Sequence, residues 1–365
     1  MTSIPFTAGT TKKGSASVTS GPAAPQYRTN NLERNGFRFR IASDPLPQHI
    51  AAHIEQVRTR DSYPAPSVEA LGRIIDSINA LERWTANPEE VGENALKSHI
   101  LEKIFPELSM SRHRCVKLQR NAQMSDLLVP DDKSNKLQIV QPRPDAIYGY
   151  SSSITREAFT RGQEAAHANI YDSSLKGEGF QFLAATNCGL RLPFLLVECK
   201  TSWGLQQLHV ALNQCAGGLG ASLNAVARLN DALRSMDAEP VISDFVYGIT
   251  INNTEAILYV SWKENAVIYV IQTVQKFDMH SASAVMDFRK QVSNILDWAH
   301  DDRLSQIRVA LDTLIRGNDN EVHITSPKRK SAIGHDKKCK PSGENSAGVH
   351  KEKKFKKRRG KTRQD

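Results

Sequence analysis

The chain has 365 residues, a formal net charge of +9 and 39% apolar residues, which is enough for one large domain with appendages. The charge is uneven. Residues 324–365 hold fifteen Lys or Arg and four Asp or Glu, a net of +11, so residues 1–323 carry about −2. A folded part this close to neutral excludes a protein that coats DNA with its whole surface.

The spacing of the cysteines and the hydropathy of the chain further narrow the class of protein. The five cysteines are scattered, with no C-x-x-C pair, which predicts reduced thiols in an intracellular compartment and argues against a structural zinc site. The first residues, "MTSIPFTAGTTKKGSAS", lack the apolar core of a secretory signal. No apolar run approaches the roughly 20 residues that span a bilayer. The sequence therefore predicts a soluble, intracellular protein with no membrane partner.

The first ninety residues are expected to precede the main domain. Residues 1–40 are rich in Gly, Ser, Thr, Ala and Pro and predict a disordered lead-in. A helical extension is predicted over residues 41–90. Its first helix follows Asp44, a plausible N-cap before Pro45, and its second helix begins at Ser67 with an apolar face running to Trp84.

Residues 91–316 have the pattern of an α/β domain. The stretch "NPEEVGENALKSHILEKIF" predicts a helix, and "RCVKLQR", "PDAIYGYS" and "RLPFLLVECK" predict strands. One or two helices follow, then three strands in meander spacing and a last helix to about Leu314. This order predicts a mixed β-sheet flanked by helices. Residues 317–365 are predicted to be a disordered basic tail.

The stretch "RLPFLLVECK" ends a buried-looking strand in two opposite charges. Residues two apart in a strand share a face, so Glu198 and Lys200 are expected to project together, with Cys199 pointing the other way. Upstream, Asp145 follows Pro144 at the start of another strand. Two carboxylates at neighbouring strand ends are hard ligands suited to Mg²⁺ or Mn²⁺.

These residue types match a hydrolytic site. A divalent metal held by Asp145 and Glu198, with the backbone carbonyl of Cys199 as a third oxygen, would neutralise a phosphodiester and activate a water. Lys200 would orient that water or stabilise the charge developing on the phosphate. Without metal, the two close carboxylates repel, and one should hold its proton more tightly.

The order of these motifs resembles the PD-(D/E)XK nuclease fold, and specifically the nuclease-like domains of many fungal proteins. "PDAIYGYS", then "PFLLVECK" and then "NQCAGG" carry the resemblance over roughly residues 90–300. It implies a restriction-endonuclease-like fold, Asp145 and Glu198 as metal ligands, and Lys200 as the catalytic lysine.

The same resemblance implies two auxiliary positions. Glu93, near the start of the preceding helix, would be the helical carboxylate of the site, and Glu102 is the other candidate. Gln214 stands near the first position of a Gln-x-x-x-Tyr motif found in some related nucleases. Because Gly218 replaces the tyrosine, Gln214 is assigned a possible substrate contact.

Each candidate also has a plainer interpretation. The Asp145, Glu198 and Lys200 set is a structural ion pair if the fold has lost its chemistry, and Glu93 then merely complements a helix dipole. His49 and His53 have metal-ligand spacing, but a solvated helix face is favoured for them. For the glycines of "AGGLG" and for Trp203, packing is favoured over phosphate binding and base stacking.

The sequence thus leads to two functional hypotheses. The favoured one is metal-dependent hydrolysis of nucleic acid, DNA before RNA, with Mg²⁺ or Mn²⁺. The alternative is a catalytically silent module of the same fold that binds nucleic acid or a protein partner. The tail clusters "PKRK" and "KKFKKRRGK" resemble nuclear import signals and also suit phosphate backbones, so both hypotheses place the protein in the nucleus.

Overall fold

The fold was analysed in a computed structural model that describes residues 21–61, 67–87, 92–108, 113, 115–131, 137–151, 184–201 and 207–324. The chain divides into two units after Glu321, and the described residues up to that point form the first, compact unit. The sheet and the candidate site belong to the first unit. Trp203 and the basic clusters of the tail lie outside the described residues.

Seven strands build one mixed sheet. They are β1 (Phe37–Arg40), β2 (Val116–Arg120), β3 (Ala146–Ser151), β4 (Leu190–Cys199), β5 (Phe245–Ile251), β6 (Glu255–Lys263) and β7 (Tyr269–Asp278), in the order β1-β7-β6-β5-β4-β3-β2. The β1/β7 and β4/β5 pairs are parallel, and the others are antiparallel. The central strands β4 and β5 are almost wholly buried, as expected of strands covered on both faces.

Within the described residues, six α-helices accompany the sheet. They are α1 (Gln48–Thr59), α2 (Val68–Ala86), α3 (Glu93–His99), α4 (Gln207–Arg234), α5 (Ala282–Trp298) and α6 (Leu304–Ile324). A π-helical turn, Ile100–Ile104, prolongs α3, and another, Ala299–Arg303, joins α5 to α6. The predicted α/β class, a mixed sheet flanked by helices, is therefore confirmed. Among the helices that the structure describes, none is long and apolar enough to cross a membrane.

Glycines of helix α4 lie in close contact with side chains of the sheet. A Cβ on Gly218 would collide with the Leu196 side chain of β4, and one on Gly220 would come within 2.7 Å of the Phe37 ring. Real Cβ atoms essentially never approach this closely, so these positions require glycine for contact. This is the close packing favoured for "AGGLG" from the sequence, in one continuous helix.

The predicted disordered lead-in over residues 1–40 is wrong for its second half. Strand β1 pairs with β7 from Phe37↔Tyr269 to Arg40↔Gln272. The Phe37 ring is fully buried and stacks on Tyr269 at 5.0 Å. The composition of the first twenty residues concealed this short "FRFR" strand, which finds its partner more than two hundred residues later and so has no local sequence signal.

Other boundaries also differ from expectation. Helix α1 begins at Gln48, after Pro47, rather than directly after Asp44. Helix α6 continues to Ile324, past the predicted domain end at 316, because a single glycine (Gly317) weakens a helix without breaking it. Helix α2 begins at Val68, one residue after the predicted start at Ser67, and the Ser67 side chain caps it by accepting from the Ala70 N–H. Val68, at the start of the predicted apolar face, is 90% exposed.

Candidate active site

Asp145 and Glu198 meet because β3 and β4 are antiparallel neighbours. The register pairs Ala146 with Val197, which sets Asp145, just before β3, opposite Glu198 near the end of β4. Directly opposed residues in an antiparallel pair project from the same face. Both residues are buried, at 5% and 3% exposure of the whole residue. The predicted convergence of the two carboxyl groups at one strand end is confirmed.

A main-chain hydrogen bond fixes the Asp145 carboxylate. The backbone N–H of Cys199 donates to Asp145 Oδ2 at 2.7 Å, and the Asp145 carbonyl accepts from the Asn121 N–H at 3.1 Å. Asp145 is thereby tied both to β4 and to the residue that follows β2. Its second carboxylate oxygen, Oδ1, is left to face a cation.

Helix α3 brings two more charged side chains to the same place. Glu93 lies in its first turn, directly after Gly92 at the N-cap, where a carboxylate complements the helix dipole. Lys97, one turn later, contacts Glu93 Oε1 and Asp145 Oδ1, each at 2.8 Å. Buried Leu96 and Ile100 hold this face of the helix in the core.

Lys200 completes the cluster. Its Nζ lies 3.0 Å from Glu93 Oε1, and its backbone N–H donates to the Ile251 carbonyl of β5 at 2.9 Å. The lysine side chain is only 13% exposed. Glu93 therefore accepts from two ammonium groups, Lys97 and Lys200, and joins α3 to the end of β4.

Burial beside Asp145 changes the pKa of Glu198. Burial is the main reason that the pKa of Glu198 is raised well above its usual range; the Asp145 charge and a hydrogen bond between the two carboxyl groups raise it further, against the opposing effect of the two lysines. Without metal, Glu198 therefore holds its proton more tightly than an ordinary glutamate, as expected for one member of such a pair.

For the two charged residues of helix α3, Glu93 and Lys97, the pKa shifts favour the charged form. Partial burial tends to raise the pKa of Glu93, but hydrogen bonds from Lys97 and Lys200 outweigh it and lower the pKa overall. Burial tends to lower the pKa of Lys97, but its contacts with Asp145 and Glu93 raise it above the ordinary lysine value.

The two candidates for the helical carboxylate of the site, Glu93 and Glu102, lie in different surroundings. Glu93 lies in the cluster, whereas Glu102 forms an ion pair with Arg120 at 3.0 Å, with both side chains substantially exposed.

Gln214 lies on α4 with its Oε1 buried and, within the described residues, without a hydrogen-bond partner. The next residue, Cys215, is close enough to Glu198 for that charge, after burial, to raise the pKa of its thiol.

Lys97 was missed by sequence reasoning. Its only signal is the spacing of four residues from Glu93, which puts the two side chains on one helix face. Such pairs are common on solvated helices, so the spacing did not single out this lysine. Only the packing of α3 against the start of β3 brings it to Asp145.

The donor chemistry of the site fits a hard divalent cation. The two opposed carboxyl groups and backbone oxygens are the ligand types that Mg²⁺ and Mn²⁺ prefer. Within the described ranges, however, no group of three His, Cys, Asp or Glu side chains is arranged to hold a metal. A cation held by Asp145, Glu198 and the Cys199 carbonyl would therefore need water molecules to complete its coordination.

The remaining sequence candidates lie elsewhere. His49 is exposed and lies 3.6 Å from Asp244. The solvated face expected for His53 is wrong: its ring lies 4.5 Å from Phe245 and 4.7 Å from Trp298, and its Nε2 is buried without a hydrogen-bond partner among the described residues. Desolvation and the neighbouring arginines lower the pKa of His53 to about 4.

Comparison with known families identifies the domain. Residues 82–311 match the model of DUF7924, a domain of unknown function. The chain belongs to the DUF7924 family. The match begins late in α2 and ends in α6, so the DUF7924 region contains the whole candidate site and strands β2–β7, while β1 and α1 precede it. No curated protein matches the sequence.

Proposed function

We propose that this DUF7924 domain hydrolyses phosphodiester bonds of nucleic acid, DNA in preference to RNA, with Mg²⁺ or Mn²⁺ at a PD-(D/E)XK-like site on a restriction-endonuclease-like fold. The observation that carries the proposal is the buried, opposed pair of Asp145 and Glu198 with Lys200 beside them. Burying two carboxyl groups together raises the pKa of one of them, and perturbed clusters of this kind occur preferentially at functional sites.

Each residue has a role in the proposed chemistry. Asp145, Glu198 and the Cys199 carbonyl would hold the metal, which when bound polarises the phosphate and makes water a better nucleophile. The water oxygen bonds to phosphorus as the bond to the leaving sugar oxygen breaks, and one proton passes from the water to that oxygen. Lys200 stabilises the charge developing on the phosphate, and Glu93 holds the Lys200 ammonium group in place.

The test is a cleavage assay with purified full-length protein, Mn²⁺ or Mg²⁺, and labelled single-stranded, duplex and branched DNA and RNA. Cleavage that is lost in Lys200→Ala and kept in Glu102→Gln supports the proposal, because Glu102 pairs with Arg120 outside the site. Retention of full cleavage by Lys200→Ala, or no cleavage of any substrate by the parent protein, overturns it.

A second function is favoured by one specific observation. In the metal-free arrangement Lys97 and Lys200 already neutralise the carboxylates, so the cluster is complete as a structural ion network. A catalytically silent module that binds nucleic acid or a protein partner would show this arrangement. Stabilisation by Mn²⁺ separates the two functions, since binding to the folded state alone raises stability by RT ln(1 + [L]/Kd).

The proposed nuclear location is based on the basic tail. Its fifteen basic residues in residues 324–365 suit both the nuclear import machinery and nonspecific contact with phosphates. We therefore propose a nuclear protein whose domain does the chemistry, while the tail supplies import and much of the affinity for nucleic acid.

A further inference from the structure

One ammonium group contacts the Asp145 carboxylate oxygen to which the Cys199 N–H does not donate. Lys97 Nζ bridges Asp145 Oδ1 and Glu93 Oε1, 2.8 Å from each. The other Asp145 oxygen is occupied by the Cys199 N–H. Oδ1 is thus the Asp145 atom directed at a cation, and in this arrangement that cation is Lys97.

The position of Lys97 also allows it to leave. Its side chain is 19% exposed, whereas that of Asp145 is 6% exposed. A lysine head group is a compact charge on a flexible four-carbon stem. Rotation of the stem would therefore bring the ammonium group into solvent, while the buried carboxylate and its main-chain hydrogen bond stay in place.

We infer that Lys97 is an internal counter-cation that occupies the divalent-metal position and must be displaced when Mg²⁺ or Mn²⁺ binds. The inference rests on the proposed function, because it assigns Lys97 a role at the same carboxylates. Lys97 keeps the buried carboxylate neutralised while the metal is absent, and it lowers the affinity of the site for metal.

A purely structural ion pair makes the opposite prediction for metal binding. If Lys97 only supports the fold around Asp145, its removal disorders the carboxylates and weakens their affinity for Mn²⁺. If Lys97 competes with the metal, its removal strengthens that affinity even though the metal-free protein becomes less stable. The sign of the change in Kd therefore separates competition from support.

The experiment measures the Kd for Mn²⁺ by calorimetry on the full-length protein and on Lys97→Met, Lys97→Arg and Lys103→Met. Lys97→Met should lower the Kd by about tenfold to a thousandfold, the range over which one neighbouring charge shifts the proton affinity of a carboxyl group. Lys97→Arg keeps the charge and should not tighten binding. Lys103 is exposed on the following turn, and Lys103→Met should match the parent.

A measurement without a variant covers the case in which Lys97→Met does not fold. Acetylation of the parent protein by an amine reagent, followed by mass spectrometry, should show faster modification of Lys97 when Mg²⁺ is added, with Lys103 unchanged. An unchanged Lys97 rate with bound metal overturns the inference.

The outcomes also distinguish this inference from the proposed function. If the parent binds Mn²⁺ and Lys97→Met binds it equally or more weakly, the displacement role is wrong and the metal site stands. If neither protein binds Mn²⁺, both the inference and the metal-dependent function fail.

Discussion

The Cys199 N–H donates to Asp145 Oδ2 at 2.7 Å, so the residue after Glu198 is bonded to the carboxylate that faces Glu198. Both metal-ligand candidates are thereby held by the backbone of one strand pair, β3 and β4. The backbone, rather than flexible side chains, therefore sets the separation of the two residues. Substitutions at the two positions should nevertheless have opposite effects on stability, because their environments differ.

Glu198→Gln should stabilise the metal-free protein at neutral pH. A carboxyl group with a raised folded-state pKa contributes stability that is complete below its unfolded pKa and is lost as the pH rises through the folded value. The amide avoids this loss and can still donate to Asp145. Urea unfolding should therefore show a higher midpoint for Glu198→Gln at pH 7, with the gain vanishing near pH 4. A lower midpoint at pH 7 would contradict the raised pKa of Glu198.

Asp145→Asn should destabilise the protein by about 1–3 kcal/mol, the usual cost of removing a charged acceptor from a buried donor. Lys97 loses one of its two carboxylate partners, and an amide N–H₂ would face its ammonium group. Urea unfolding at pH 7 measures the change. Equal stability of Asp145→Asn and the parent would show that the Lys97 contact adds nothing to the fold.

Glu93→Gln and Glu102→Gln form a matched pair. Glu93→Gln should cost about 1–2 kcal/mol, because Lys97 and Lys200 are largely buried and lose a charged acceptor. Glu102→Gln should change stability by less than about 0.5 kcal/mol, since its pair with Arg120 is exposed. The lowered pKa of Glu93 means that its contribution is present above the unfolded value and is lost as the pH falls. The Glu93→Gln difference should accordingly shrink in acid.

His53 should make the fold sensitive to acid. Its pKa falls from 6.5 to about 4 on folding, so its contribution is present above pH 6.5 and is lost as the pH drops toward 4. His53→Leu should flatten the dependence of unfolding free energy on pH across this interval. His49→Leu, on the exposed face of the same helix, is the control. Identical pH profiles for the parent and His53→Leu would refute the assignment.

Removal of the tail should separate binding from catalysis. Each phosphate neutralised contributes about −0.9 to the slope of log K against log salt, and residues 325–365 contain all fifteen basic residues of the tail. The truncated protein should show a flatter salt dependence for DNA binding and should leave the nucleus. Metal-dependent cleavage at saturating concentration should be unchanged. An undiminished slope after truncation would place the binding surface in the domain.

Local sequence patterns were sufficient to predict those helices and strands whose signal lies within a few consecutive residues. Apolar runs identified β4 to β7, and the Ser67 cap located the start of α2. The start of α1 was predicted too early in the chain. Strand β1 was not predicted, because four residues of "FRFR" are recognisable as a strand only beside β7. Short, distant pairings leave almost no local signal.

The sequence by itself determined the residue types of the site and the positions of Asp145 and Glu198 at strand ends, since alternation along a strand is a local property. Tertiary structure alone decided which helical carboxylate joins them: α3 packs Glu93 against Lys200 and leaves Glu102 with Arg120. It also decided that Lys97 contacts Asp145, and that burial raises the pKa of Glu198. Burial and charge proximity depend on how α3, β3 and β4 pack together, and no spacing along the chain encodes them.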